Sequence, residues 1–305
     1  MKEKIKGSIM GSVIGDAMGL PVEFKEREQL ESKPITKMMG FGTYKQPIGT
    51  WTDDTSMVLC TMDSLLNGLN YESIGENFCD WIKYGKYTPF GKPIGVGRGT
   101  LKALNLIDKG TPAIEAGSTD IKFNGNGSLM RILPIAFYIH KNNITEWQEI
   151  VENLSKITHG HSISTTSCII YVQYILNLLD NMDKETAYNK LRTENFSKYT
   201  EYINAFDNIL KTDIRKLHRH NIKSDGYVIS TLEASLWSFL TTNTFKDCIL
   251  TAVNLGGDTD TIACISGGLA GLYYGLDSIP ANWISQLQSL EYLNENINAF
   301  ADMYS

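Results

Sequence analysis

The sequence predicts an all-α fold, built as a single compact domain of many helices that spans residues 1–305. Apolar residues recur at spacings of three and four along most of the chain, which is the periodicity of helices that bury one face. Alternating strand-like runs are scarce, and no linker divides the chain cleanly. The hydrophobic fraction of 42% is sufficient for a sizeable core.

The first predicted helix carries glycines at strict four-residue spacing, at Gly7, Gly11, Gly15 and Gly19. A second small-residue face recurs near the other end of the chain. Glycine costs about 1 kcal/mol relative to alanine inside a helix, so this pattern requires a reason. We expect close approach of neighbouring helices beside a functional pocket. Dimerisation in a membrane is the competing interpretation, and the nearby charged side chains disfavour it. The second face consists of Ala263, Gly267 and Gly271.

Further helices follow along the chain. After Asp54, apolar side chains recur in one stripe as far as Leu69, and the nearly continuous apolar run from Ser162 to Asp180 predicts a buried helix. The remaining helical patterns run from about Ser128 to Tyr138, Tyr199 to Leu217, Tyr227 to Phe239, Phe245 to Val253, Thr259 to Tyr274 and Ile284 to Met303.

Charge and composition limit the possible partners. A net charge of −6 and a pI near 5.5 argue against an extended nucleic-acid surface, which needs clustered basic residues. No stretch approaches the roughly 20 apolar residues of a membrane span, and the N-terminus does not have the pattern of a signal peptide. The five cysteines are scattered and form no CxxC pair. We therefore expect a cytoplasmic protein with reduced thiols, no membrane association and a monomeric state.

Two acidic motifs near opposite ends of the chain almost repeat each other, WTDDT at residues 51–55 and GDTDT at residues 257–261. Each presents two carboxylates and a threonine hydroxyl at the predicted start of a helix. Helix capping is the simpler interpretation of either motif alone. Together they favour metal binding, because hard divalent cations such as Mg²⁺ and Mn²⁺ prefer oxygen ligands. Four buried carboxylates in one pocket would repel one another strongly without cations.

These motifs belong to a larger pattern that resembles the ADP-ribosylglycohydrolase family, which includes the dinitrogenase-reductase-activating glycohydrolases. The matching segments follow the order of the family and extend over nearly the whole chain. They are Gly11–Glu23, Gly49–Met57, Gly125–Arg131, Thr158–His159, Asp225–Trp237 and Val253–Thr261.

The resemblance implies an all-α fold with a binuclear Mg²⁺ or Mn²⁺ centre, and an enzyme that cleaves the glycosidic bond of ADP-ribose conjugates. It implies Glu23 and Asp258 as catalytic carboxylates. The local sequence of Glu23 alone is equally typical of an exposed surface acid. The residues implied as metal ligands are Thr52, Asp53, Asp54, Asp258, Asp260 and Thr261.

The resemblance also implies a site for the rest of ADP-ribose. The segment Gly125–Ser128 precedes a helix predicted to begin near Leu129, where free amides can bind a diphosphate; an Asn-Gly turn is the simpler interpretation. Phe123 is a weaker second candidate for stacking on adenine, Arg131 fits a structural ion pair equally well, and His161 is expected to be structural. Tyr227 could either stack on adenine or pack in the core. The implied substrate contacts are Gly97, Gly99, Gly125, Asn126, Gly127, Ser128, Met130, His159 and Tyr227.

One segment departs from the pattern of family members that act on arginine. Those members carry an acid in the loop over the scissile end, whereas residues 95–100 here read GVGRGT. An acid there could hold a guanidinium, so its absence leaves both arginine-linked and serine- or other O-linked ADP-ribose open as substrates. Arg98 could contact a phosphate, an acidic acceptor or solvent. Two other functions stay open, a non-catalytic relative that binds ADP-ribose and a hydrolase of nucleotide phosphates.

Overall fold

A computed structural model describes all residues from 1 to 305, and it confirms the predicted all-α class. Sixteen α-helices and seven short 3₁₀ helices account for the regular structure, and the only β-type pairings are isolated bridges. The α-helices are α1 Lys2–Gly19, α2 Arg27–Ser32, α3 Asp53–Leu65, α4 Tyr71–Tyr84, α5 Arg98–Ile107, α6 Ala113–Ala116, α7 Leu133–Lys141, α8 Gln148–Lys156, α9 Ser162–Leu179, α10 Lys184–Leu191, α11 Asp207–Leu210, α12 Val228–Leu240, α13 Phe245–Val253, α14 Thr259–Tyr274, α15 Ala281–Ile284 and α16 Leu290–Tyr304. The 3₁₀ helices are Leu20–Val22, Ile121–Phe123, Asn126–Ser128, Ile203–Phe206, Ile214–Lys216, Arg219–Asn221 and Leu276–Ser278.

The helices form two compact units, each assembled from separate stretches of the chain. The first unit comprises Met1–Thr55, Ile214–Gly226 and Ser230–Ser305, and the second comprises Ser56–Asp213 and Tyr227–Ile229. The organisation as one domain over residues 1–305 stays a prediction.

In the first unit, α1 and α14 pack along their glycine faces. A methyl group at Gly7 would lie 2.5 Å from the carbonyl oxygen of Gly271, and methyl groups at Gly11 and Gly15 would overlap backbone atoms of Gly267 and Ala263. The predicted close approach of two small-residue helices is therefore confirmed. It places the backbones of α1 and α14 in direct contact, and both helices carry acidic residues at the ends that meet.

The second unit is built around α9, which contacts α7, α8 and α10. As its apolar sequence predicts, nearly all of its side chains are buried. With 18 residues and a mean hydropathy of 1.3, α9 is, contrary to the expectation from the sequence, long and apolar enough to cross a membrane, and 83% of it is buried inside the protein. Such burial is typical of the core helix of a folded unit.

Three predicted helices differ from those observed. The pattern from Ser128 to Tyr138 forms an α-helix only from Leu133, because Pro134 occupies the first turn, where its missing N–H is tolerated. The pattern from Ile284 to Met303 forms an α-helix only from Leu290, directly after Ser289, whose backbone is left-handed with φ 53°; Ile284 is the last residue of α15.

The segment from Tyr199 to Leu217 is the third difference, since it folds as short helical turns instead of one helix. The side chain of Arg192 donates hydrogen bonds to the carbonyl oxygens of Leu210 (3.4 Å) and Lys211 (2.8 Å) at the end of α11. These bonds satisfy carbonyls that a longer helix would have used itself.

Candidate metal centre

Four acidic segments of the first unit meet at the ends of α1, α3 and α14. The two motifs that the sequence singled out are brought together, since the hydroxyl of Thr261 donates to Oδ2 of Asp54 at 3.4 Å. Carboxylate oxygens form two groups of three, and within each group they lie no more than 4.8 Å apart. Asp260 belongs to both groups, so they form one continuous cluster. The groups are Asp16, Asp54 and Asp260, and Glu23, Asp258 and Asp260.

Asp16 of α1 is the residue of this cluster that the sequence analysis missed. Its fully buried carboxylate accepts four hydrogen bonds: from the amide (2.9 Å) and hydroxyl (3.0 Å) of Thr52, and from the amide (3.1 Å) and hydroxyl (2.6 Å) of Thr55. It therefore caps the start of α3 from another helix and fixes the motif that carries Asp53 and Asp54. The sequence does contain a signal for a functional Asp16, because it is the only charged residue between Lys6 and Glu23.

One carboxylate oxygen of Asp54 is buried in the cluster without a hydrogen-bond partner. Its Oδ2 accepts from the hydroxyl of Thr261 at 3.4 Å and lies 3.2 Å from the hydroxyl oxygen of Thr52, whose single proton is directed to Asp16 at the shorter distance, whereas its buried Oδ1 has no hydrogen-bond partner. An unsatisfied buried acceptor costs about 1–3 kcal/mol, and more when it is charged. A divalent cation would satisfy this oxygen, and the donor set of carboxylates and hydroxyls is the one that Mg²⁺ and Mn²⁺ prefer. The residues therefore fit the implied metal.

Burial and mutual repulsion make ionisation of the cluster unfavourable. Burial is the largest cause in each case, and it raises the pKa of Asp53, Asp54 and Asp260 well above the ordinary value. Burial also raises the pKa of Asp16 to about 6, against the lowering effect of its four hydrogen bonds. A bound cation would reverse this trend, since it stabilises the ionised form of nearby carboxylates.

Glu23 lies in the cluster and is not an exposed surface acid, because only 8% of its surface is accessible. Burial, followed by the nearby charge of Asp258, raises the pKa of its carboxyl to about 7. The phenol of Tyr44, a second residue that the sequence analysis missed, hydrogen-bonds to this carboxyl. The backbone of the segment is fixed as well, since the amide of Phe24 donates to the carbonyl of Gly257 at 2.7 Å.

The turn before α14 depends on a glycine pair. Gly256 and Gly257 have φ angles of 75° and 71°, a left-handed conformation that favours glycine. The amide of Gly257 donates to the carbonyl of Lys25 at 2.9 Å, and the amide of Asp258 donates to that of Ser224 at 2.7 Å. These bonds hold the partly buried Asp258 beside Glu23.

The other predicted site residues belong to the second unit, around the segment Gly125–Ser128. Residues 126–128 form one 3₁₀ turn and the next α-helix begins at Leu133, so the prediction of a helix starting near Leu129 is wrong. Gly125 pairs with Tyr227 in an isolated antiparallel bridge, which places the 40% exposed ring of Tyr227 beside this loop. Met130 is buried, and the amides of Leu129 (2.9 Å) and Met130 (3.1 Å) donate to the carbonyl of Asn126.

His159 lies against the same loop. A methyl group at Gly99 would lie 3.2 Å from its Nε2, and one at Gly127 would lie 2.8 Å from its Cε1. Gly97 precedes α5 as its N-cap, and Arg98 extends into solvent. The loop residues and His159 are thus brought together, and their role as substrate contacts stays a prediction.

Three side chains near this loop had alternative interpretations. His161 is structural, since its Nδ1 accepts from the amide of Ile163 at 3.2 Å and caps α9. Arg131 is buried and forms no ion pair; it donates to the carbonyl of Leu154 at 3.0 Å and the hydroxyl of Thr158 at 2.9 Å. Phe123 packs under the ammonium group of Lys102, 4.5 Å from its ring centre.

The fold and the site define a class: an all-α protein whose buried carboxylates, gathered at three helix ends, fit a divalent metal. Comparison with known proteins identifies the family. The family model described as ADP-ribosylglycohydrolase matches residues 1–305. The chain therefore belongs to the ADP-ribosylglycohydrolase family.

Known relatives agree with this assignment. The ADP-ribosylarginine hydrolase Tri1 of Serratia proteamaculans (strain 568) is 32% identical over 295 residues, which cover 96% of this chain and 77% of the relative. The ADP-ribosyl-dinitrogen reductase glycohydrolase of Rhodospirillum rubrum is 29% identical over 93% of this chain and 90% of its own length. A solved structure titled "ADP-ribosylglycohydrolase-related protein complex" aligns with a TM-score of 0.83 and 27% identity, covering 100% of this chain and 99% of that one. The family and these names support an ADP-ribose hydrolase activity.

Proposed function

We propose that this protein is a metal-dependent hydrolase that cleaves the glycosidic bond of ADP-ribose conjugates and removes ADP-ribose from modified proteins. The observation that carries the proposal is the buried carboxylate cluster in which Oδ1 of Asp54 has no protein partner. A structural cluster would pair such an oxygen with a donor, whereas a metal site leaves it for the cation. The family supports the chemistry of the substrate.

Two Mg²⁺ or Mn²⁺ ions would be held by the two motifs, through Thr52, Asp53, Asp54, Asp258, Asp260 and Thr261. When bound, such ions act as Lewis acids toward substrate oxygens and help to activate water. The remaining catalytic roles belong to side chains of the protein.

Glu23 is proposed to accept a proton from the attacking water, whose oxygen bonds to the anomeric carbon as the bond from that carbon to the acceptor nitrogen or oxygen breaks through an oxocarbenium-like state. Transfer of this proton to the departing nitrogen or oxygen leaves free ADP-ribose and the unmodified side chain. A bound cation would stabilise the ionised carboxylate of Glu23, which is the form that accepts a proton. The Tyr44 hydroxyl orients this carboxyl. Asp258 lies beside Glu23 and is proposed as the second catalytic carboxylate.

For the acceptor we propose ADP-ribosylated arginine first, because the relative from Serratia is named an ADP-ribosylarginine hydrolase. One observation favours a second candidate, an O-linked conjugate such as ADP-ribosylserine. Residues 95–100 carry no acid that could pair with a guanidinium, and their one charged side chain, Arg98, is cationic and exposed.

The decisive experiment compares peptides carrying ADP-ribose on arginine and on serine, incubated with the protein and Mg²⁺ or Mn²⁺. We expect release of free ADP-ribose from at least one peptide, and loss of that activity with EDTA or in Asp258→Asn. The matched control is Asp302→Asn, which removes a surface carboxylate paired with Lys2. Activity that survives both EDTA and Asp258→Asn would eliminate the mechanism.

Product analysis also separates the two other functions. A non-catalytic relative would bind ADP-ribose and leave every conjugate intact, whereas a nucleotide phosphate hydrolase would release AMP or phosphate. We further propose that the protein acts as a cytoplasmic monomer, which size-exclusion chromatography with light scattering and cell fractionation would test.

A further inference from the structure

A buried chain of three polar side chains in the second unit leads to the loop that holds Gly127. Nη2 of Arg131 donates to the hydroxyl oxygen of Thr158 at 2.9 Å, and this oxygen lies 2.9 Å from Nδ1 of His159. All three residues are at most 4% exposed. The opposite edge of the imidazole faces Gly99 and Gly127, and no protein atom is hydrogen-bonded to its Nε2.

The chemistry of these groups fixes the position of each proton. A guanidinium has donors and no acceptor, so the oxygen of Thr158 must accept from Arg131. The single hydroxyl proton of Thr158 then needs an acceptor, and Nδ1 of His159 is the only one within hydrogen-bond distance. With Nδ1 accepting, the ring proton of a neutral imidazole is on Nε2.

We infer that Arg131 and Thr158 are positioning residues that lock His159 in its neutral Nε2–H tautomer, so that the ring presents a hydrogen-bond donor to the Gly99–Gly127 face. The donor would serve an anionic or hydroxyl oxygen of the bound ligand. This inference rests on the proposed function for the identity of that ligand, ADP-ribose.

The environment keeps the imidazole neutral. Burial, followed by the charge of Arg131, lowers the pKa of His159 to about 3, so the ring does not take up a second proton in the neutral range. The proton on Nε2 is therefore the only one that the ring carries, and the chain through Thr158 decides on which nitrogen it resides.

The state of Arg131 is consistent with a functional reason for its presence. Its side chain is completely buried, its Nε and Nη1 have no hydrogen-bond partner, and no carboxylate forms an ion pair with it; its guanidinium lies 4.6 Å from the ring centre of Phe78. A buried charge without a counterion is costly, and replacing such groups with apolar ones of similar size is often neutral or stabilising. A contribution to stability alone therefore does not explain the presence of Arg131.

The test has two readouts. Nitrogen-15 NMR of histidine-labelled, ligand-free protein reports which ring nitrogen of His159 carries the proton, and calorimetry reports the affinity for ADP-ribose. For the unmodified protein we expect the Nε2–H tautomer. For Thr158→Val, which keeps the shape and removes the hydroxyl, we expect a shift toward Nδ1–H and about tenfold weaker binding, the order expected for one lost hydrogen bond to a charged oxygen.

Thr158→Ser is the matched control, because it retains the hydroxyl, and we expect it to keep both the tautomer and the affinity. A ligand-free protein with its proton on Nδ1 overturns the inference, whether or not Thr158→Val folds. Equal weakening in the valine and serine variants, or none in either, overturns it as well. The NMR measurement needs no substrate. It therefore determines the tautomer of His159 even if the proposed hydrolase function is wrong.

Discussion

Asp16 fixes the first acidic motif without belonging to it in sequence. Its two oxygens accept all four donors of Thr52 and Thr55, so the Thr52 hydroxyl can face the cluster only as an acceptor, and there it already accepts from the amide of Asp54 at 3.3 Å. We predict that Asp16→Asn weakens Mn²⁺ binding by about 10–100-fold, the usual effect of removing a residue that orients metal ligands. The dissociation constant, measured by electron paramagnetic resonance or calorimetry, checks this.

Asp302→Asn is the control for Asp16→Asn, because it removes one carboxylate from the surface of the same unit. Circular dichroism should show that both variants keep their helices. Unchanged Mn²⁺ affinity in Asp16→Asn would show that Asp16 only caps α3.

Glu23 is proposed to move a proton, and its substitution should separate catalysis from binding. We predict that Glu23→Gln lowers kcat by about 10²–10⁴-fold, the contribution typical of a general base, while ADP-ribose affinity changes by less than about threefold. Steady-state kinetics and calorimetry provide the two values. Glu28→Gln, an exposed neighbour, should behave like the unmodified protein. An equal loss of ADP-ribose affinity would instead make Glu23 a binding residue.

The sequence revealed the parts of the site that are contiguous in the chain. The two acidic motifs were recognisable because each places several oxygen ligands at one helix start. Asp16 and Tyr44 were not recognisable, because each acts on a residue from another segment, 36 residues away for Asp16 and Thr52. The hydrogen bonds between Asp16 and Thr52 form only when folding brings α1 and α3 together, so the sequence around Asp16 does not reveal its role.

The glycine face of α1 determines how closely α1 approaches α14, and both helices carry site acids. We predict that Gly15→Ala lowers the free energy of unfolding by about 1–3 kcal/mol or more, because the added methyl group would overlap the backbone of Ala263. The same variant should weaken Mn²⁺ binding, since separation of the helices moves Asp16 away from Asp260. Urea denaturation and calorimetry measure the two effects.

Gly97→Ala is the steric control for that substitution. Gly97 has φ −64°, and the nearest atom to an added methyl group is the hydroxyl oxygen of Thr100 at 3.8 Å. Because alanine is a poorer N-cap than glycine, we expect its free energy of unfolding to fall by less than about 1 kcal/mol, below the loss expected for Gly15→Ala. If Gly15→Ala were equally stable, the close approach of α1 and α14 would not matter.

Helix periodicity predicted the long elements well and the irregular ones poorly. The bounds of α13 and α14 agree with their patterns, because continuous apolar faces pack against neighbours over their full length. The segment from Tyr199 to Leu217 also has apolar residues at helical spacing. There, hydrogen bonds from Arg192, distant in sequence, compete with helix continuation. Tertiary contacts of this kind override local propensity.

The protein as a whole carries a net charge of −6, and part of that charge lies in one buried cluster. The pKa of Asp16 rises from 3.8 to about 6 on folding, and that of Glu23 from 4.5 to about 7. A group whose folded pKa is raised contributes stability below its unfolded pKa, and this contribution is lost as the pH rises through the folded value. The metal-free protein should therefore lose stability between about pH 4 and pH 7.

Divalent metal should reverse this loss, because cations and protons compete for the same carboxylates. We predict that Mn²⁺ at 100 times its dissociation constant adds about 2.7 kcal/mol to the free energy of unfolding at pH 7.5, whereas the same concentration adds much less at pH 5. Thermal unfolding at both pH values, with and without EDTA, measures the difference. Asp54→Asn should raise the stability of the metal-free protein at pH 7.5, since it removes a buried carboxyl group whose ionisation is unfavourable, and should abolish most of the gain from Mn²⁺. An equal effect of Mn²⁺ at both pH values would place its binding outside the carboxylate cluster.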